Sequence, residues 1–250
     1  MKTLFANGDS HTAGAELEFG EQITCYEKVW AAHMSKMLGM DYVNISMPGA
    51  SNYRIFRTTQ DWIIENVILN KNYKPDDLTV FVMWSGFDRK EFYFPDTNVI
   101  DNVGYSSNVD FYKTGYKKEI ATIRDSSVVL HDDLVSCFKS LSLVFNLALF
   151  LESYNIKYYF INGIYSFMEP DQANKLHPLF GPYNNLIKMY NKRIKSHIGF
   201  YNVDEGYFNY MQNHSGIKIP KHSNYSHYAE DGHIHWAKKV YKFYFEKKLI

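Results

Sequence analysis

Hydrophobic positions along the chain fall into short apolar runs that alternate with longer stretches of helical spacing. Thr3 to Ala6 reads as a strand that ends at Asn7-Gly8. Gln22 to Leu38 carries Ile23, Tyr26, Trp30, Met34 and Met37 at helical spacing, and Gly39 stops it. Tyr42 to Ile45 predicts a second strand, and Ser51 to Leu69 a helix with Ser51 at its N-cap. Leu78 to Trp84 is a continuous apolar run of strand length, which suits a parallel strand covered on both faces. Between residues 90 and 130 no period holds, and this stretch reads as an irregular insertion or lid. Leu130 to Tyr154 predicts a long helix, Tyr158 to Ile164 a fourth strand, Tyr183 to His197 a helix, Phe200 to Val203 a fifth strand, and the chain from about Ile234 a last helix.

This β-α-β-α alternation predicts an α/β domain spanning residues 1–250. Its sheet should be doubly wound, mainly parallel and five-stranded, with helices on both faces and ligands beyond the carboxyl ends of the strands. Apolar residues at 46% and charged residues at 22% give such a domain a core and argue against disorder. A formal net charge of zero gives no reason to expect a nucleic acid or a membrane as partner. The apolar stretch Leu143 to Leu151 is too short to span a bilayer, and residues 1–8 lack the apolar region of an export signal. With two cysteines, Cys25 and Cys137, no disulfide framework arises, so a reducing, cytoplasmic compartment is the default. Aromatics at 17% would suit a carbohydrate-stacking surface, although an AT-rich coding sequence explains them equally well.

Four segments carry candidate chemistry. Gly8-Asp9-Ser10-His11-Thr12 follows the first strand, where a tight turn can present the Ser10 hydroxyl at the ligand-binding edge. Asn44 to Asn52 follows the second strand, and Gly49 there could offer an unobstructed N–H. Ser85-Gly86-Phe87-Asp88-Arg89 follows the third. Asp231-Gly232-His233-Ile234-His235 precedes the last helix. If that segment is extended, Asp231 and His233 face the same way and the carboxylate can orient the imidazole. Each segment has a plainer reading, as a cap, a Pro-Gly turn or a solvated loop. Five of the ten histidines, His214, His222, His227, His233 and His235, fall close together, but without Cys pairs or a His-Glu-x-x-His motif they do not read as a metal site.

In this order, the four segments resemble the SGNH (GDSL-like) hydrolase family, including its phage-encoded branches, whose members could belong to a virus particle. The resemblance implies a three-layer α/β/α, flavodoxin-like fold and ester hydrolysis without a cofactor. It makes Ser10 the nucleophile, His233 the base and Asp231 its orienting carboxylate, with the N–H groups of Ser10 and Gly49 in the oxyanion hole. It also implies a small-molecule or carbohydrate ester as substrate, an O-acetylated carbohydrate first. Apart from the resemblance, Asn52, Arg89 and His235 are expected as further substrate contacts, and His11 either touches substrate or fills the turn. Two departures stand out. Asp88 occupies the place of the family's oxyanion-donating Asn, so that donor is missing, taken over by Ser85 or Arg89, or restored by protonating Asp88. The Asp231–His233 spacing is two rather than three. Acyl transfer on the same residues, or a carbohydrate-binding module that has lost catalysis, are the competing expectations.

Overall fold

The computed structural model describes residues 2–17, 24–87, 89–94, 99–103, 117–130, 133–163, 198–199, 206–214 and 227–246. Five strands form the main sheet: β1 (Thr3–Asn7), β2 (Asp41–Asn44), β3 (Leu78–Trp84), β6 (Lys157–Asn162) and β7 (Ile198–Gly199). Their order is β2-β1-β3-β6-β7, and every described pairing is parallel. β1 lies between β2 and β3, so the chain crosses to opposite sides of the first strand, and the carboxyl end of β1 is the switch point of the sheet.

Alternation along the central strands divides the core in two. Phe5, Val80, Val82, Trp84, Tyr158 and Phe160 point to one face, where Ile55 and Ile63 of α3 (Asn52–Ile63) meet Val144, Leu147 and Leu151 of α5 (Asp133–Ser153). Leu4, Ala6, Phe81, Met83, Tyr159 and Ile161 point to the other. There they pack on Trp30 and Met34 of α2 (Trp30–Leu38) and on Trp236 and Val240 of α7 (Glu230–Tyr241). The helix–sheet–helix arrangement is the three-layer fold expected. β3 is apolar almost throughout because both of its faces are covered, and all seven of its residues are buried.

Some elements differ from the expectations. The stretch from 90 to 130 is not irregular where it is described: β4 (Lys90–Phe94) and β5 (Val99–Val103) form an antiparallel hairpin, and α4 (Lys117–Leu130) follows. The helix expected from Gln22 is a 3-10 turn at Tyr26–Lys28 followed by α2, and the one expected to reach Leu69 is α3 continued by π-helical turns at Ile64–Leu69. α7 begins at Glu230, four residues before the expected start. The expected helix over 183–197 and strand over 200–203 lie outside the described residues, and the fifth strand is β7. Among the described residues, no helix is long and apolar enough to cross a membrane.

Candidate active site

The turn after β1 is locked from both sides. Asn7 Nδ2 donates to Ile55 O, Thr58 Oγ1 and Thr59 Oγ1 on α3, and Asn7 Oδ1 accepts from Gly8 N at 2.8 Å. A Cβ on Gly8 would lie 2.4 Å from Thr12 Oγ1 and 3.0 Å from Met83 O, so only glycine fits at this bend. α1 (Ser10–Ala13) then starts, capped by Asp9, whose carboxylate accepts from His11 N at 3.1 Å, and ends at Gly14 in the left-handed region. Ser10 is therefore held at the carboxyl end of β1, at the switch point. Its side chain makes no hydrogen bond to a described residue.

The second segment is docked on this turn. Asn44 Nδ2 donates to Thr12 O at 2.8 Å, and Met47 N donates to Gly8 O at 3.2 Å. Gly49 has φ +76, and no described atom lies within 4 Å of where its Cβ would be.

The third segment meets the first through a buried charge. Asp9 is fully buried; its Oδ2 accepts from Ser85 Oγ at 2.8 Å and lies 3.4 Å from Arg89 Nη1, which also donates to Ser85 Oγ at 2.8 Å. Burial alone would raise the carboxyl pKa. Neighbouring His11 and Arg89, the Ser85 hydroxyl and the His11 amide together outweigh it and hold the pKa below the usual range. Burial also pushes His11 down to about 3, against the pull of Asp9, so the imidazole is neutral near pH 7. Ser85 and Arg89 are thus engaged with Asp9. Asn52, expected at the substrate, instead clamps the end of β3: its Oδ1 accepts from Ser85 N, and its Nδ2 donates to Ser85 O and Ser140 Oγ. Asp88 lies outside the described residues.

The fourth segment is helical rather than extended, and this changes the geometry expected of Asp231 and His233. Residues two apart on a helix do not share a face. Asp231 is exposed, and its Oδ1 accepts from its own neighbour Gly232 N at 2.8 Å. His233 is buried, and its Nδ1 accepts from Trp30 N at 3.3 Å, supplying the cap that α2 otherwise lacks. An Nδ1 that accepts puts the ring proton on Nε2. Burial, reinforced by His11, His227 and His33, holds the His233 pKa well below its usual value. The structure therefore does not bring the Asp231 carboxylate to the His233 ring. His235 is exposed on α7.

A pair that the sequence motifs do not single out lies close to the Ser10 turn. His227 Nδ1 is 2.9 Å from Glu16 Oε2, with both side chains about nine-tenths buried. The His227 ring centroid is 4.9 Å from that of His11, the residue after Ser10, and Tyr207 of α6 (Tyr207–Asn213) packs on His11 at 4.9 Å. The partners are 211 positions apart, and the one signal in the sequence is membership of the histidine cluster.

These elements define a three-layer α/β domain with a serine at the switch point of its parallel sheet. Residues 16–249 match the family described as "Family of unknown function (DUF6071)", and the chain belongs to that family. Similar solved structures include TesA (14% identity, TM-score 0.52, covering 98% of this chain and 99% of that one). The psychrotrophic esterase EstA from Pseudoalteromonas sp., inhibited by monoethylphosphonate, is 11% identical with TM-score 0.51, covering 100% and 99%. Est2A, an acetyl xylan esterase from the rumen bacterium Butyrivibrio proteoclasticus, is 14% identical with TM-score 0.50, covering 99% of this chain and 64% of that one. A comparison with curated proteins finds no match.

Proposed function

We propose that this protein is a serine hydrolase of carboxylic esters with Ser10 as its nucleophile. The observation that carries the reading is the placement of Ser10. A glycine-only bend and a buried, ionised Asp9 fix it at the carboxyl end of β1, beside the His11–His227 cluster and the docked Gly49 loop. Ser10 Oγ attacks the ester carbonyl, the Ser10 and Gly49 amides receive the oxyanion, and a neutral imidazole takes the hydroxyl proton. Asp9, Ser85 and Arg89 hold the turn rather than the substrate. Ester chemistry is supported by the fold neighbours, among them an esterase and an acetyl xylan esterase. An O-acetylated carbohydrate is the substrate class that this likeness and the aromatic content of the chain favour.

Hydrolysis of p-nitrophenyl acetate by wild type and Ser10→Ala tests the assignment. In subtilisin, loss of the nucleophile costs about 10⁶-fold in kcat, and a fall of at least about 10³-fold is expected here, with the circular dichroism spectrum unchanged. A folded variant within about tenfold of wild type would remove Ser10 from the mechanism.

A further inference from the structure

The geometry points to His227, held by Glu16, as the general base that serves Ser10. The inference rests on Ser10 being the nucleophile and assigns the base that the sequence motifs put at His233.

The two buried histidines differ in what their Nδ1 atoms meet. Nδ1 of His233 faces a backbone N–H, which can only donate, so His233 carries its proton on Nε2 and cannot accept another there. Nδ1 of His227 faces the Glu16 carboxylate at 2.9 Å, which can only accept while ionised. Its proton therefore sits on Nδ1, and Nε2 is the basic nitrogen. A serine hydrolase needs that second tautomer, with a carboxylate behind the imidazole to stabilise the imidazolium.

His11 is nearer to Ser10 in sequence, but burial makes it a poor proton acceptor near neutral pH. Its ring instead spaces His227 from Tyr207, with both ring centroids 4.9 Å away. Glu16 has φ +60, a left-handed conformation that a non-glycine residue adopts at a cost. Such strain persists where the surroundings enforce it and gathers at working sites. Here the strained residue is the one that aims its carboxylate at His227. Among the described residues, no three or more His, Cys, Asp or Glu converge as a metal site, so the pair does not read as part of one.

The chemistry balances on these groups. As Ser10 Oγ bonds to the ester carbon, its proton passes to His227 Nε2 and the carbonyl electron pair moves to oxygen. Collapse breaks the C–O bond, and Nε2–H protonates the departing alkoxide, leaving acyl-Ser10. Water then gives a proton to Nε2 as its oxygen attacks the acyl carbon, and the proton returns to Ser10 Oγ when the acid leaves. Glu16 stays ionised throughout as the positioning residue.

The test compares His227→Gln, His233→Gln, Glu16→Gln and Glu16→Asp with wild type in p-nitrophenyl acetate kinetics, after circular dichroism has shown each to be folded. His227→Gln should lower kcat by about 10²–10⁴-fold with little change in KM. His233→Gln should unfold at lower urea yet keep kcat within about tenfold of wild type. Glu16→Gln should lower kcat, and Glu16→Asp should recover part of the loss. The described groups that face His227 include Glu16, His11 and, electrostatically, His233. Removing the Glu16 charge should therefore move the acidic limb of the kcat/KM profile to lower pH, which loss of packing alone would not do. If wild type hydrolyses the ester and a fluorophosphonate labels it at Ser10, but His233→Gln abolishes kcat and His227→Gln does not, the base assignment is overturned and the serine reading stands. If wild type neither turns over nor labels, both fall. Should His227→Gln fail to fold, the Glu16 variants decide by the same pH limb, and an unmoved limb overturns the assignment.

Discussion

Asn52 shows how a polar residue in a candidate loop can work for the site without touching a ligand. It is buried, and its side-chain hydrogen bonds go to Ser85 and Ser140. Asn52→Ala would strand the Ser85 N–H, and an unsatisfied buried donor costs about 1–3 kcal/mol. Urea unfolding should show a loss of about 2 kcal/mol. Because Ser85 also holds Asp9, kcat should fall with it. A loss below about 0.5 kcal/mol would mean that water replaces the clamp without cost. Gly8, Ser10 and Gly49 are legible in the sequence because turn chemistry is local: two glycines mark the bends they permit. The Glu16–His227 pair is not legible, because His227 is one of several clustered histidines and nothing local marks Glu16; only the fold closes a separation of 211 positions.

At the scale of elements, the hairpin β4–β5 is tied to α3 by one carboxylate. Glu91 is nearly buried, with Arg54 Nη1 at 3.2 Å and Arg57 Nη2 at 2.8 Å, and its hydrogen bond is the main cause of a raised Arg57 pKa. Removing the Glu91 charge takes that carboxylate from both guanidiniums and leaves Arg57 only its weaker contact with the exposed Asp61, at 3.4 Å. Glu91→Gln should cost roughly 2 kcal/mol and raise amide exchange in β4 and β5 more than in the main sheet; equal protection throughout would show that the hairpin is held by something else. The alternation that marks a strand is weak in Lys90–Phe94 and Val99–Val103, and for that reason the hairpin is hidden from a reading by period. The start of α7 is hidden for a different reason. Its N-cap is Ala229, without a side-chain cap, and Asp231-Gly232 looks like a turn. Glu230 and Asp231 nevertheless suit the first turn electrostatically. β3 is legible to the residue because burial on both faces leaves an unbroken run of strand-forming positions.

For the whole molecule, the buried histidines couple stability to pH. His11 titrates near 6.5 when unfolded and at about 3 when folded, and His233 is displaced in the same direction. Between these values the unfolded chain binds more protons, so stability rises with pH across this window. It is fully present above about pH 6.5 and lost as pH falls toward 3; Asp9, lowered from 3.8, extends the loss at the acidic end. Urea midpoints should therefore drop between about pH 7.5 and about pH 5, and His11→Gln should narrow the difference. A midpoint that is flat or higher at the acidic end would show that these rings are solvated. The fold as a whole is readable because strand and helix periods repeat along most of the chain. The site is readable only as far as its residues follow strands directly.

Covalent labelling reads the reactivity of Ser10 itself. A fluorophosphonate reacts readily with a hydroxyl where a base removes its proton and amides receive the developing oxyanion. Intact-mass and peptide analysis should find a single adduct on each chain, on the peptide containing Ser10, lost in Ser10→Ala and slowed in His227→Gln. An unlabelled protein, or an adduct on another serine that survives Ser10→Ala, would show that Ser10 is not the nucleophile.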